Sequence, residues 1–236
     1  MGKCLVCGSK SPLISEGLGV CIKCIKEKPE KALEITHESH ARSRAVFGLP
    51  PEPPKTKEGI KCGMCANNCV IGEGELGFCG LVFNVNGKLV RKGGTPEKGI
   101  LEWYYDPLPT NCVAWWFCPG CTGLGYPKYA YKPEAEYGYS NLAVFYGSCT
   151  FDCLFCQNWH YRRLTSTLKP VVSAKSLASK ARKENVSCIC YFGGDPSSQM
   201  PHAIKTSLLA MEMAEESSRI MRICWETNGY MKKSSL

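Results

Sequence analysis

Two periods of apolar residues take turns along the chain from residue 141 onward. "NLAVFY" (141–146) is a continuous apolar run of strand length, "VSCICYF" (186–192) is a second β-rich run, and "IMRICWETNGY" (220–230) is a third that ends in a glycine turn. Between them, "SAKSLASKARKEN" opens on an N-cap serine at Ser173 and has helical composition, and "PHAIKTSLLAMEMAEESS" repeats its apolar residues at helical spacing. Strand, helix, strand, helix, strand is the grammar of parallel α/β units with right-handed crossovers. Ligands of such sheets gather at the carboxyl ends of the strands. Three stretches fall there: "GSCTFDCLFC" after the first strand, "GGDP" after the second and "ETNGY" at the end of the third.

Upstream the pattern breaks into smaller pieces. "KPEKALEITHESHARSRAVFG" predicts a helix with Pro29 in its first turn and Gly48 just past its end. "LPPEPPKTKEG" (49–59) packs four prolines into a polar run and reads as a semi-rigid linker. "LVFNVNGKLVRKG" predicts a β-hairpin, since alternating apolar residues flank Asn86-Gly87, a preferred type I′ pair. The expected organisation is therefore 1–48 as a small module with its helix, 49–59 as linker, 60–140 as a Cys-rich region with a hairpin, and 141–236 as an α/β unit.

Cysteine content sets the chemistry. Seventeen cysteines in 236 residues require either disulfides or metal. Most of them fall in C-x2-C or C-x3-C knuckles, and the chain is long and opens without an apolar signal segment, which points to metal in a reducing cytoplasm. Cys4, Cys7, Cys21 and Cys24 form C-x2-C, thirteen residues, C-x2-C, the pattern of a zinc ribbon. Cys62, Cys65, Cys69 and Cys79 suit either zinc or an iron-sulfur cluster, and the sequence leaves that choice open. Cys112, Cys118 and Cys121 could serve a second cluster or be buried thiols. Cys188, Cys190 and Cys224 read as core residues.

The uncharged stretch from Pro107 to Pro127 is long enough to span a membrane. Its prolines, glycines and polar residues would leave backbone groups unsatisfied in lipid, so it is expected as a buried or cluster-lining loop. The formal charge of +8 is inflated, because ligating cysteines are thiolates. Two four-cysteine zinc sites and one three-cysteine cluster would remove about five positive charges, and no dense Lys/Arg run supports nucleic-acid binding.

The triad Cys149, Cys153 and Cys156 supplies three sulfurs in a tight arc. A [4Fe-4S] cube presents four irons, each wanting one external ligand, so one iron is left open. An open coordination position marks a reactive centre, as it does at catalytic zinc.

"CTFDCLFC", with Phe155 before the third cysteine, resembles the CxxxCxxC signature of the radical S-adenosylmethionine (radical SAM) enzymes. "FGGDP" looks like that family's Gly-Gly-Glu motif, with Asp195 shortening the usual glutamate by one methylene, and "WETNG" resembles its third-strand segment. The segment from residue 62 through "CQNWHY" most resembles the branch of pyruvate formate-lyase activating enzymes and their archaeal and bacterial relatives. The resemblance covers roughly residues 60 to 230 and leaves the ribbon outside.

The resemblance implies an α/β partial (β/α) barrel, here ending after its third strand, as in a truncated gene product. It implies an enzyme in which Cys149, Cys153 and Cys156 hold a [4Fe-4S] cluster and S-adenosylmethionine chelates the open iron. Reductive cleavage would give a 5′-deoxyadenosyl radical that activates or modifies a partner, such as a protein receiving a glycyl radical, with flavodoxin or ferredoxin as electron donor. Backbone near Phe155 would face adenine, and Gly193, Gly194 and Asp195 would bind the methionyl amino group, with Glu226 and Asn228 lining the pocket. A reading from another class stays open: a non-catalytic metal-binding or electron-transfer module, which predicts the metals and no nucleoside product.

Overall fold

The computed structural model describes residues 1–232. The chain divides into two compact units, Met1–Pro53 and Pro54–Leu236, and the boundary lies inside the proline run.

In the first unit, β1 (Gly2–Lys3) and β2 (Lys10–Ser11) pair antiparallel with Gly2 opposite Ser11. The short helix α1 (Ile22–Glu27) starts from Cys21, whose Sγ accepts from the Cys24 amide at 3.4 Å. It leads into α2 (Pro29–Ala45), which begins on Pro29 as expected and is followed by Gly48 at φ 64°. The core is only Cys4, Ile14, Val20, Cys24 and Ala32. So few apolar groups cannot offset the entropy of ordering some fifty residues, which is why a bound ion is the natural source of stability here.

The second unit opens with two small antiparallel pairs, β3 (Ile60–Lys61) with β4 (Val70–Ile71) and β5 (Val82–Val85) with β6 (Lys88–Arg91). Val85 lies opposite Lys88, so Asn86 and Gly87 make a two-residue turn with φ of 52° and 67°, the left-handed pair that a type I′ turn requires.

The main sheet has five strands in the order β11-β10-β8-β7-β9 and is open. β8 (Ser140–Tyr146), β10 (Val186–Gly193) and β11 (Arg222–Trp225) are the three expected parallel strands. β7 (Gly99–Pro107) was not expected. It runs antiparallel to β8 from Leu101 opposite Tyr146 to Pro107 opposite Ser140, and two-residue β9 (Val171–Val172) caps its far side. The α/β class holds, and the expected parallel strands lie in an open mixed sheet that does not close. The "ILEWYYD" run of β7 satisfies the edge of β8 with its own backbone and ends the parallel series there.

Short α3 (Pro119–Thr122) precedes β8, α4 (Tyr161–Thr167) follows the triad, and α5 (Ala174–Lys180) and α6 (Met200–Glu216) are the crossovers. Leu142, Val144, Tyr146, Ile189 and Tyr191 on one sheet face pack on Leu177, Ala178, Ala203 and Ala210 of α5 and α6. Each such aliphatic side chain contributes roughly 1.5–3 kcal/mol of burial. The opposite face looks onto the 107–118 segment across a cavity.

The sheet's amino end is fastened by a buried ion pair. Arg222 donates to both oxygens of Glu136, at 2.8 and 2.6 Å, and to the Ser187 hydroxyl at 2.8 Å. Burial works against the Glu136 charge, but Arg222 and Ser187 hold its carboxyl below the usual range.

Candidate metal and cofactor site

The triad loop follows β8 directly and turns sharply. Ser148 and Asp152 sit at φ 83° and 58°, a left-handed conformation that bends the chain around Cys149. Cys149 is 9% exposed, and its Sγ accepts from the amides of Phe151 and Asp152 at 3.4 and 3.5 Å and from Asn228 Nδ2 at 3.8 Å. Burial pushes the thiol up to about 11 against those donors, so Cys149 needs a bound cation to persist as thiolate at neutral pH. Cys153 and Cys156 are half-buried beside it, whereas the Phe155 ring is 90% exposed.

Asp152, which no sequence motif singles out, anchors this loop. It is fully buried, accepts from the Tyr161 hydroxyl and forms an ion pair with Arg162 Nε at 2.5 Å. Arg162 also donates to the Cys153 carbonyl at 3.4 Å. The loop is thus braced from α4 before any ligand is bound.

The other two strand-end turns meet this loop, as their position in the grammar requires. The Gly194 amide donates to Tyr146 O at 2.9 Å and the Asp195 amide to Ser148 O at 2.8 Å. A Cβ on Gly194 would stand 1.9 Å from Ser148 O, and Gly193 is at φ 107°, so both glycines serve a close backbone approach to the triad loop. Asp195 is 1% exposed and its carboxylate is turned into the protein. It accepts from the Ser197 amide at 2.7 Å, the Thr227 hydroxyl at 3.0 Å and the Asn228 amide at 2.9 Å. Asn228 Nδ2 in turn reaches Thr150 Oγ1 at 2.9 Å as well as Cys149. A continuous chain of bonds therefore joins the ends of β10, β11 and β8. Glu226 stands apart from this chain, in the cavity on the open sheet face.

The 62–79 cysteines lie against the same loop. Asn67 Nδ2 donates to Thr150 O at 2.8 Å, and Ser148 Oγ to Cys79 O at 2.7 Å. Cys62, Cys65, Cys69 and Cys79 line one pocket together with Arg91, Thr150 and Ser197. The Ser197 hydroxyl is buried there with no hydrogen-bond partner among the described residues, an orphan donor facing a sulfur-lined space. Burial is the first cause pushing the Cys79 thiol up to about 11.

In the first unit, the sulfurs of Cys4, Cys7, Cys21 and Cys24 lie within 4.8 Å of one another. Cys7 and Cys21 are 3.8 Å apart, about the edge of a tetrahedron with metal–sulfur bonds of ~2.3 Å. Burial first, and then the neighbouring sulfurs of Cys7, Cys21 and Cys4, raise the Cys24 thiol to about 12, and a cation would relieve the repulsion among the sulfurs. This ligand set could hold a metal ion.

Among the described residues Cys4, Cys7, Cys21 and Cys24 are the set that closes this tightly. The triad sulfurs do not all lie within 4.8 Å of one another, a spacing compatible with ligands on separate irons of a cluster. The amide donors on Cys149 and the brace from Asp152 fit the same group.

The 107–127 segment departs from its expected burial. Cys112 and Cys118 line the cavity, but Trp115, Trp116 and Phe117 are each more than half exposed. Cys188 and Cys190 are buried as expected and Cys224 is half-buried, and all three line that cavity. Among the described residues no helix is long and apolar enough to cross a membrane.

Residues 143–234 match the family model described as Radical SAM superfamily. A Methanocaldococcus jannaschii protein described as uncharacterized is 26% identical over 179 residues, which cover 75% of this chain and 45% of that protein. The chain thus spans less than half the length of that relative. No solved structure matches.

Proposed function

We propose, starting from the match of residues 143–234 to the Radical SAM superfamily, that the chain is an iron-sulfur enzyme that reductively cleaves S-adenosylmethionine. Cys149, Cys153 and Cys156 would hold a [4Fe-4S] cluster whose fourth iron binds the amino and carboxylate groups of S-adenosylmethionine. When bound, the pair supplies a 5′-deoxyadenosyl radical able to abstract hydrogen from a substrate. The observation that carries this reading is the hydrogen-bonded convergence of three strand ends on Cys149 through Asn228 and Asp195.

The chain's own residues divide the work. Amides of Phe151 and Asp152 stabilise the buried thiolate of Cys149. Gly193 and Gly194, both half-buried, bring the β10 turn against the triad loop, where their backbone would meet the methionyl amino group. Asp195 acts as a positioning residue for Thr227 and Asn228, a role its buried, fully bonded carboxylate supports better than direct contact with a ligand. Backbone near Phe155 would face adenine, and Glu226 would line the substrate side of the site.

We further assign zinc to Cys4, Cys7, Cys21 and Cys24, and an iron-sulfur cluster rather than zinc to Cys62, Cys65, Cys69 and Cys79. The wider sulfur spacing and the orphan Ser197 hydroxyl support the second assignment. Its contact with the triad loop through Cys79 and Ser148 suits electron entry from a flavodoxin or ferredoxin. A protein partner, activated as the pyruvate formate-lyase activating branch does it in a reducing cytoplasm, is the substrate class this reading favours.

The test is anaerobic reconstitution followed by reduction with S-adenosylmethionine present. The expected result is 5′-deoxyadenosine from the wild type and none from Cys153→Ala, with about four irons fewer in the variant. Unchanged nucleoside formation in the variant would refute the assignment.

A further inference from the structure

The open face of the main sheet, opposite α5 and α6, carries thiols that the proposed reaction does not use. Cys188 and Cys190 alternate along β10, and Cys224 of β11 is the register partner of Cys190, so the three share one face. Ala143 of β8, beside Cys190, is small and leaves room above it. Across that room the 107–118 segment brings Cys112 and Cys118. These five cysteines, with Glu226, line a single cavity.

The thiols of loop and strands act on one another. Burial is the first cause raising Cys224, to about 11, and Cys118 and Cys112 come next. Cys190 is raised by burial first, and then by Glu226, Cys224 and Cys112. Cys188 Sγ donates to Asn141 Oδ1 at 3.6 Å, Cys190 Sγ to Glu226 Oε1 at 3.9 Å, and Cys121, which is not among the lining residues, to Thr110 O at 3.8 Å. The thiols that act on one another across the cavity are Cys112 and Cys118 from the loop and Cys190 and Cys224 from the strands.

Free cysteine is a common core residue, but singly, as a small apolar group. A concentration of soft thiols about one cavity instead selects zinc, copper(I) or an iron-sulfur cluster. Spacing chooses among them. A lone tetrahedral ion wants sulfurs ~3.8 Å apart, as the ribbon provides. Among the described residues no three of the cavity thiols close to within 4.8 Å. Ligands that sit on separate irons need the wider arrangement.

We infer that Cys112 and Cys118 from the loop, with Cys190 and Cys224 from the strands, hold a further [4Fe-4S] cluster in the cavity on the open face of the sheet. The site is separate from the triad and from the 62–79 set. It tethers the 107–118 segment across the sheet and places metal beside Glu226, where a substrate of the domain would approach.

The experiment reconstitutes the full chain anaerobically with iron and sulfide and counts iron, sulfide and zinc. The chains compared are wild type, a Cys118→Ala/Cys224→Ala double variant, a Cys149→Ala/Cys153→Ala/Cys156→Ala variant, and the two sets combined. The double variant should lose about four irons and four sulfides per chain, and the same loss should appear in the background lacking the triad. Unchanged iron in the double variant, or loss of zinc instead, would overturn the site. Should that variant not fold, alkylation of reconstituted wild type read by peptide mass spectrometry decides. Cys112, Cys118, Cys190 and Cys224 should resist labelling until an iron chelator is added. Equal labelling with and without metal, or a disulfide among them, would overturn it.

Discussion

At the scale of single residues, the triad loop depends on side chains that bind no ligand. Gly194 has no space for a Cβ, which would lie 1.9 Å from the Ser148 carbonyl. Gly194→Ala should destabilise the second unit by about 3 kcal/mol, the upper range for overpacking, and reduce iron uptake at the triad. Urea unfolding and metal analysis measure both. Asp195→Asn turns an amide NH2 toward donors that had two carboxylate oxygens, and should cost about 1–3 kcal/mol. Hydrogen exchange should quicken at the Ser197 and Asn228 amides in that variant while the amides of the first unit are unaffected. Among these residues the cysteines, the glycines, Asp195 and Asn228 were legible in the sequence. Asp152, Tyr161 and Arg162 form their buried group only because α4 folds back on the loop, and a lone aspartate between two cysteines carries no sign of that.

At the scale of elements, α6 is keyed to the sheet by a buried histidine. His202 Nε2 donates to Val172 O of β9 at 2.9 Å, and its Nδ1 accepts from the Tyr146 hydroxyl of β8 at 2.7 Å. Burial lowers its pKa from the usual 6.5 to about 4, against the opposing effects of the Val172 carbonyl and Glu97. Between those values the unfolded chain binds more protons than the folded one. The stability is therefore fully present above about pH 6.5 and declines as pH falls toward 4, by roughly 3 kcal/mol. Thermal unfolding from pH 7 to 4.5 should show a fall that His202→Gln largely removes. The helices and parallel strands were readable from their periods, and the Asn86-Gly87 turn from its dipeptide. β7 was not, because "GILEWYYDP" mixes acidic with aromatic residues, and whether such a run becomes a strand depends on the free edge of β8 beside it.

At the scale of the whole molecule, two units rely on different sources of stability. The first, whose core cluster is the five residues Cys4, Ile14, Val20, Cys24 and Ala32, should unfold when a strong chelator removes an ion held by its four cysteines, while the α/β sheet persists. Circular dichroism and limited proteolysis after chelation check this. The second relies on packing and on the Arg222–Glu136 pair. Arg222→Met should cost about 3–5 kcal/mol by leaving a buried carboxylate unpaired, and adding Glu136→Met should recover much of that loss. The sequence by itself determined the ligand knuckles, the α/β grammar and the site's place at the strand ends, because short-range spacing and hydrophobic period are local properties. Only the tertiary structure decided that the sheet is open and mixed, that Asp195 faces inward, and that Cys112, Cys118, Cys190 and Cys224 share one cavity. Those outcomes depend on which strand edges pair and which faces are covered, and both are set by contacts between residues far apart in the chain.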